Sequence, residues 1–196
     1  MMRGLPPVDP DYLARLRRRD PETLRSVVDL HGRRLYRAAR GMGCPADAAS
    51  DVVQDVFVTF LASLDRFEGR SQVSTWLLGI LYRKLLERRR PSPGDAHDPI
   101  DDVFLAQFDE SDRWVQRPID PDRWMRSREA AAAIHDCLEA LPPLQRDVFQ
   151  LREVEELSGA EVGAILGESV NHIGVLFHRA RLRLRECLGQ KGWVRA

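Results

Sequence analysis

The feature that most constrains the fold is a series of helix start and stop signals between residues 141 and 188. Pro143 can begin a helix, because the first helical position needs no backbone N–H donor, and apolar residues follow it at helical spacing. Ser158 and Glu161 form an S-x-x-E capping box, in which each side chain accepts a hydrogen bond from an otherwise unpaired N–H group of the next helix. Gly167 supplies the left-handed conformation of a tight turn. This order predicts a helix-turn-helix.

The third helix of this motif, which Ser169 can cap, has one apolar and one polar face. The apolar positions are Ile173, Phe177, Ala180, Leu184 and Leu188. Candidates for DNA base contacts on the polar face are Asn171, His172, Val175 and His178. Later in the helix, Arg179 and Arg181 suit phosphate contacts. A three-helix packing module with a solvated arginine face is the alternative that spacing alone leaves open.

Charge is unevenly distributed along the chain. Thirty Lys and Arg residues balance thirty Asp and Glu residues, but residues 91–112 hold seven acidic side chains and no Lys or Arg. The remainder is therefore net basic, so the neutral total, which argues against a protein that coats DNA uniformly, conceals a basic body with an acidic insert. No apolar run approaches the roughly 20 residues of a membrane span, and the N-terminus lacks the apolar core of a signal peptide. We expect a soluble, cytoplasmic protein without membrane insertion.

The three cysteines, Cys44, Cys137 and Cys187, are odd in number and widely spaced. They predict neither a disulfide framework nor a zinc site, which fits a reducing cytoplasm. Cys187 is expected to be a small buried residue. The motifs of phosphate-binding loops and zinc hydrolases do not occur. We therefore predict no enzyme activity, no catalytic residue, no metal site and no cofactor.

Strand signals are nearly absent, so the sequence predicts an all-α protein of two small helical domains joined by an acidic linker. The expected organisation is an N-terminal tail over 1–19, a first domain over 20–90, the linker over 91–125, and a domain with the helix-turn-helix over 126–190. The linker is acidic and rich in proline, which favours an extended tether. Aromatic residues suggest that it docks somewhere: Phe104, Phe108, Trp114 and Trp124.

Several sequence motifs follow one another in a characteristic order. The first block contains DVVQDVFVTF, the loop FEGRSQVSTWL and a basic helix, and the second contains LPPLQRDVF, the capping box and HRARLRLRE. This order resembles a bacterial RNA polymerase sigma factor of the sigma-70 family, and specifically its extracytoplasmic-function (ECF) group. The resemblance implies an alternative sigma factor that binds core RNA polymerase and directs transcription from promoter DNA with −35 and −10 elements.

The resemblance also implies roles for residues of the first domain. Asp51, Gln54 and Asp55 would bind core polymerase, and they project from one side of a helix. An ordinary solvated helix face is the alternative. Residues 67–90 would melt the promoter and contact the −10 element through Phe67, Thr75, Trp76, Arg83, Lys84, Glu87 and Arg88. Trp76 could stack on a base, but its helical phase with Ile80 favours a position in the core. The linker would enter the positively charged channel of the polymerase, or serve as a solvated tether.

For the second domain, the resemblance implies recognition of the −35 element by the helix-turn-helix. Asn171, His172, Val175 and His178 would approach bases, and Arg179 and Arg181 would bind phosphates. Relatives commonly place Thr, Lys, Ser and Arg across 172–176, where this chain has His172, Gly174, Val175 and Leu176. Glycine within a helix costs about 1 kcal/mol relative to alanine, so Gly174 suggests close approach of the backbone to DNA or a partner.

These departures resemble a branch of sigma factors controlled by a small zinc-binding anti-sigma factor, which implies such a partner. Two other functions stay open. One is a polymerase-independent helix-turn-helix regulator of transcription, which would not explain the acidic helix and the tryptophan loop. The other is a sigma-like decoy interaction protein whose recognition helix serves protein contacts.

Overall fold

The computed structural model describes residues 9–89 and 128–193, which are helical and contain no strand. The helices are α1 (Pro10–Arg17), α2 (Pro21–Gly41), α3 (Ala46–Ser63), α4 (Val73–Arg88), α5 (Arg128–Glu139), α6 (Pro143–Phe149), α7 (Gly159–Leu166) and α8 (Val170–Gln190). A 3₁₀ turn follows α3, and a π-helical turn, Gln150–Val154, follows α6. The predicted all-α fold class is confirmed. The linker expected over 91–125 lies outside the described residues.

The first helical body, residues 9–89, contains a helix that the sequence did not predict. Residues 1–19 were expected to form a tail, yet α1 begins at Pro10 after an Asp9 cap and buries Leu16 completely. Arg17 then donates hydrogen bonds of 2.9 and 3.2 Å to the carbonyl oxygen of Phe67. Tyr12 and Leu13 also pack against the core, so α1 is attached to the first body by apolar side chains and by the contact of Arg17 with the loop before α4.

Helices α2, α3 and α4 form the centre of the first body. Asp20 caps α2 by accepting hydrogen bonds from the N–H and hydroxyl of Thr23, and Pro21 occupies the first turn. Helix α3 contributes Val52, Val56 and Phe60 to the core, all within 1% of complete burial. Helix α4 is apolar on most sides and is enclosed by its neighbours.

The second helical body, residues 128–193, contains the helix-turn-helix at the predicted positions. Ser158 and Glu161 form the reciprocal capping box of α7, and Ser169 caps α8 through the N–H of His172. Gly167 ends α7 with φ of 76°, in the left-handed region. These local signals therefore fix both ends of the tight turn between α7 and α8.

One continuous apolar core extends through both helical bodies. Val148, Leu151, Val162 and Ile173 from the second body belong to the same cluster of buried residues as the core of the first body. The bodies also meet closely at Gly41, where an added Cβ atom would lie 2.1 Å from the side-chain oxygen of Gln150. The two bodies pack as a single unit in the described structure.

Ion pairs tie the two bodies together at the edges of this core. Asp147, which is 0% exposed, accepts hydrogen bonds from both terminal nitrogens of Arg89, and Arg89 also donates to the Met42 carbonyl at 2.6 Å. On another edge, Arg34 donates to the carboxylate of Glu155 at 2.5 Å and to its carbonyl oxygen at 3.1 Å. The first pair joins the end of α4 to α6, and the second joins α2 to the segment between α6 and α7.

The cysteine prediction is wrong, because Cys137 of α5 and Cys187 of α8 form a disulfide. The two residues are 50 positions apart, but the packing of α5 against α8 brings their Cα atoms to 5.8 Å. Cys187 is accordingly half-buried and bonded, whereas Cys44 is the buried free thiol among the described residues. Sequence spacing could not show this pairing, since it depends on the contact between two distant helices.

No helix in the described part of the chain is long and apolar enough to cross a bilayer.

Replacing both Cys137 and Cys187 with serine should lower the free energy of unfolding by about 2–4 kcal/mol, because the disulfide limits the unfolded chain. Denaturant titration under oxidising conditions measures the difference. Addition of a reductant should destabilise the wild-type chain and leave the double variant unchanged. Three reactive thiols in the unfolded, unreduced wild-type chain would show that the disulfide is absent.

Replacing Asp147 with alanine should cost about 3 kcal/mol of stability, because Arg89 would keep a partly buried charge without this carboxylate. Chemical denaturation followed by circular dichroism measures the change. The control is Glu68→Ala, which removes the partner of Arg70 from an ion pair whose side chains are 59% and 84% exposed; exposed pairs contribute little. Equal effects of the two substitutions would contradict the role of the buried pair.

Candidate nucleic-acid and polymerase interfaces

The helix-turn-helix holds α8 in a fixed orientation to α7 through close backbone packing. A Cβ atom on Gly163 would lie 2.7 Å from the carbonyl oxygen of Glu168, so only glycine fits there without movement of the turn. Ile173, on the inner side of α8, is fully buried. The opposite side of α8 therefore faces outward.

The outward side of α8 carries the predicted base-contacting residues in two different situations. Asn171 is exposed, and Val175 and His178 are partly exposed on the same side of the helix. His172 instead lies close to the turn, where its Nδ1 is 2.7 Å from a carboxylate oxygen of Glu168. The imidazole of His172 is thus held by a residue of its own motif, a contact that helical phase alone could not reveal.

The arginines of α8 are also divided between surface and interior. Arg179 is partly exposed, whereas Arg181 is only 6% exposed and its guanidinium lies 5.5 Å from the centre of the Phe177 ring. Arg183 donates a hydrogen bond of 3.0 Å to Gln145 of α6. In this arrangement Arg179 reaches the surface in part, and Arg181 packs against an aromatic ring.

The predicted polymerase-binding residues form an open polar face on α3. Asp51, Gln54 and Asp55 are all exposed, and Asp55 forms an ion pair of 3.1 Å with Arg88 at the end of α4. This pair connects the predicted polymerase face with one of the residues assigned to the −10 element.

A groove of about 790 Å³ lies beside this face, between α2 and α3. It combines apolar side chains, including Leu30 at 69% exposure, with the exposed arginines Arg33 and Arg37. These residues of α2 were not expected from the sequence as a binding surface. Helical phase gives no signal for them, because Val28 and Leu30 lie within or beside the arc of the buried positions of the same helix.

The two aromatic residues assigned to the −10 element pack against one another. Phe67 is 4% exposed and stacks on Trp76, with ring centroids 4.3 Å apart and planes inclined by 10°. Trp76 also meets the edge of Phe60 at 5.5 Å. Both rings thus line the interior of the first body, the position that the helical phase of Trp76 favours.

The charged residues assigned to the −10 element lie on the outer side of α4. Arg83, Glu87 and Arg88 are exposed, and Lys84 is partly exposed. Lys84 and Glu87 form an ion pair of 3.3 Å, and Arg83 donates to the Gly79 carbonyl at 3.2 Å. This surface is accessible to a nucleic-acid backbone while the two bodies remain packed together.

Thr75, another residue of this group, is covered by the second body. It is 6% exposed, and its hydroxyl donates a hydrogen bond of 3.1 Å to Glu161, the capping residue of α7. Burial alone would raise the pKa of Glu161. Hydrogen bonds from the N–H and hydroxyl of Ser158 and from Thr75 outweigh this effect, so the pKa lies below its ordinary value. The ionised carboxylate joins the helix cap to the first body.

Both helical bodies are similar to known proteins. Residues 27–91 match the family Sigma-70 region 2, and residues 131–184 match the family Sigma-70, region 4. The ECF RNA polymerase sigma-E factor of Escherichia coli is 30% identical over 142 residues, which cover 70% of this chain and 72% of that protein.

Two solved structures are similar over most of the chain. CnrH, in complex with the cytosolic domain of CnrY, has a TM-score of 0.65 and 25% identity, and the match covers 92% of this chain and 96% of CnrH. The sigma factor RpoE of Bartonella quintana, in complex with the anti-sigma factor NepR, has a TM-score of 0.59 and 24% identity, with coverage of 84% and 96%. The latter similarity concerns the fold alone.

Acidification should destabilise the chain partly through Glu161. Because its folded pKa is lowered from the ordinary 4.5, the ionised carboxylate stabilises the fold fully above about pH 4.5. That contribution is lost as the pH falls through the folded pKa. Denaturant titrations between pH 3 and 7 should therefore show a weaker acid dependence for Glu161→Gln than for the wild type. The exposed Glu153→Gln variant is the control, and identical pH profiles for all three proteins would contradict this assignment.

Proposed function

Because the chain belongs to the ECF group of RNA polymerase sigma factors, we propose that it binds core polymerase through α3 and contacts promoter DNA through α4 and α8. The chain is an alternative sigma factor that directs promoter-specific transcription initiation. The observation that carries this conclusion is the presence of both sigma regions, in order, in one chain that is 30% identical to the E. coli sigma-E factor. Catalysis belongs to the polymerase and not to this chain. The complex acts in the cytoplasm, where RNA polymerase works.

Core polymerase binds the polar face formed by Asp51, Gln54 and Asp55. Their exposure supports this role, since a docking surface must be accessible before the partner arrives. The neighbouring groove adds apolar area and two cations, Arg33 and Arg37, which suit a helical partner surface with its own acidic residues. Carboxylates on one side and arginines on the other would select the orientation of that partner.

The −10 element binds along α4. Arg83, Lys84 and Arg88 follow the phosphate backbone, with Glu87 among them, and the loop from Phe67 to Thr75 holds bases that leave the stack. Since Thr75 is bonded to Glu161 in the described arrangement, contact between Thr75 and DNA requires the second body to move away from α4. Promoter melting in this proposal is therefore coupled to separation of the two bodies.

The −35 element binds the outward side of α8. Asn171, Val175 and His178 approach base edges in the major groove, and Arg179 binds phosphate. His172 and Arg181 are less available in this arrangement, because Glu168 holds the first and the Phe177 ring packs against the second. Base recognition consequently depends on a short stretch near the start of α8.

An anti-sigma factor is the partner that holds the protein inactive in this proposal. RpoE of Bartonella quintana, which shares the fold, forms a complex with the anti-sigma factor NepR. A partner that keeps the two bodies together would also keep Thr75 covered by Glu161. Inhibition would thus use an arrangement that this chain already adopts.

Replacing Asp51 and Asp55 with arginine should abolish association with core polymerase while the fold is retained, because both side chains are exposed. Co-purification with core enzyme measures association, and circular dichroism checks the fold. The control reverses two other exposed acidic residues of the first body, Glu22→Arg with Asp65→Arg, and should bind normally. Unchanged co-purification of the Asp51 and Asp55 variant would contradict the docking role.

Replacing Arg179 with alanine should weaken promoter binding by the holoenzyme to a similar extent on all sequences. The logarithmic salt slope should flatten by about 0.9, the value for one lost phosphate contact. Binding assays across a range of salt concentrations measure this slope. Arg18→Ala, which removes an exposed cation from α1, serves as the control with an unchanged slope. A changed base preference in the Arg179 variant would instead show that Arg179 contacts a base.

A further inference from the structure

Gly174 lies in the second turn of α8, where the fold itself gives no reason for glycine. The residue is exposed, and a Cβ atom built on it would meet nothing within 4 Å. Glycine inside a helix is unfavourable relative to alanine because it loses more backbone freedom on folding. The chain therefore keeps a destabilising residue at a position where alanine would fit.

The other two glycines around the turn are different. Gly163 is required by contact, since its Cβ atom would lie 2.7 Å from the Glu168 carbonyl oxygen, and Gly167 is required by its φ of 76°. Both are explained within the chain. No contact within the described chain accounts for Gly174, and its open position on α8 leaves room for a group of an outside partner.

The surroundings of Gly174 indicate what this ligand is. Asn171, Gly174, Val175 and His178 recur at helical spacing, so they share the outward side of the helix. Asn171 and His178 offer hydrogen-bonding groups on either side of Gly174, and Val175 offers methyl groups beside it. Asn171 and His178 thus lie on either side of an apolar gap at Gly174. This arrangement is complementary to a major-groove edge on which a thymine methyl lies next to hydrogen-bonding groups.

We propose that Gly174 is a specificity-determining residue whose missing side chain makes room for the 5-methyl group of a thymine in the upstream promoter element. This inference rests on the proposed function, since it assumes that α8 lies in the major groove. The Cα of Gly174 and the methyl groups of Val175 then contact the thymine methyl. Asn171 contacts a neighbouring base, with an adenine as its best partner.

The test compares a methyl group added to the protein with a methyl group removed from the DNA. Holoenzyme is formed with saturating core polymerase, and promoter fragments that the wild-type holoenzyme selects from a randomised pool serve as probes. Each thymine of the upstream element is replaced in turn by uracil, which lacks only the 5-methyl group. Affinity is measured for the wild type, for Gly174→Ala and for His135→Ala. His135 is an exposed residue of α5, and α5 is assigned to neither the polymerase nor the DNA interface.

The expected result is a position-specific rescue. Gly174→Ala should bind the thymine promoter about tenfold more weakly than the wild type, the usual scale of one unfavourable base contact. It should recover most of this loss when uracil replaces one particular thymine. Its denaturation midpoint should rise, so the lost affinity cannot come from unfolding. His135→Ala should lose no affinity for either DNA.

Two results would overturn the inference. One is equal affinity of Gly174→Ala and the wild type for the thymine promoter. The other is a loss that persists on every uracil-substituted fragment, which would mean that the added methyl group meets something other than a thymine methyl. Failure of the wild-type holoenzyme to select any promoter from the pool would contradict the proposed function itself, and is therefore distinguishable from both.

Discussion

The two helical bodies pack on one another through a shared apolar core, and the buried ion pair between Arg89 and Asp147 closes one edge of this core. Asp147 has no exposed surface, and its carboxylate accepts two hydrogen bonds from the end of α4. A carboxylate removed from water is unfavourable unless it is paired and hydrogen-bonded. When the bodies separate, Arg89 and Asp147 lose their mutual hydrogen bonds and must be hydrated instead. Separation also exposes apolar surface of the shared core to water. The same packing decides which candidate binding faces are open and which are covered.

Some of the candidate binding faces are open and one is covered, and this difference follows the partner proposed for each face. The polar face of α3, the groove beside it and the outward side of α8 are all accessible, so core polymerase and the upstream promoter element can be approached without rearrangement. Thr75 is different, because it lies against Glu161 of the helix-turn-helix. In the proposed function, the contacts between the bodies break at the step in which the −10 element is melted. That step must therefore supply the free energy to break them. Binding of two separated DNA elements then replaces contacts within the chain by contacts with the promoter.

The parts of the fold that the sequence predicted well depend on local interactions. Ser158, Gly167 and Ser169 act within four residues of their partners, so the sequence could place the helix-turn-helix accurately. Three of the missed features depend on contacts between distant segments. The disulfide joins residues 50 positions apart, α1 is held by a carbonyl of the loop before α4, and the shared core joins both halves of the chain. Helical phase placed His172 and Arg181 on the outward side of α8, but a carboxylate of the turn and an aromatic ring restrain them.

Run-off transcription with purified core polymerase tests the central claim most directly. The templates are promoter fragments that the holoenzyme selects, together with versions in which either the −35 or the −10 element is scrambled. If the chain is a sigma factor, a transcript with a defined start site should form only when this chain is added. The transcript should disappear when either element is scrambled. Sequence-specific DNA binding by the chain without core polymerase, together with no transcript from any selected fragment, would contradict the account and indicate an autonomous DNA-binding regulator.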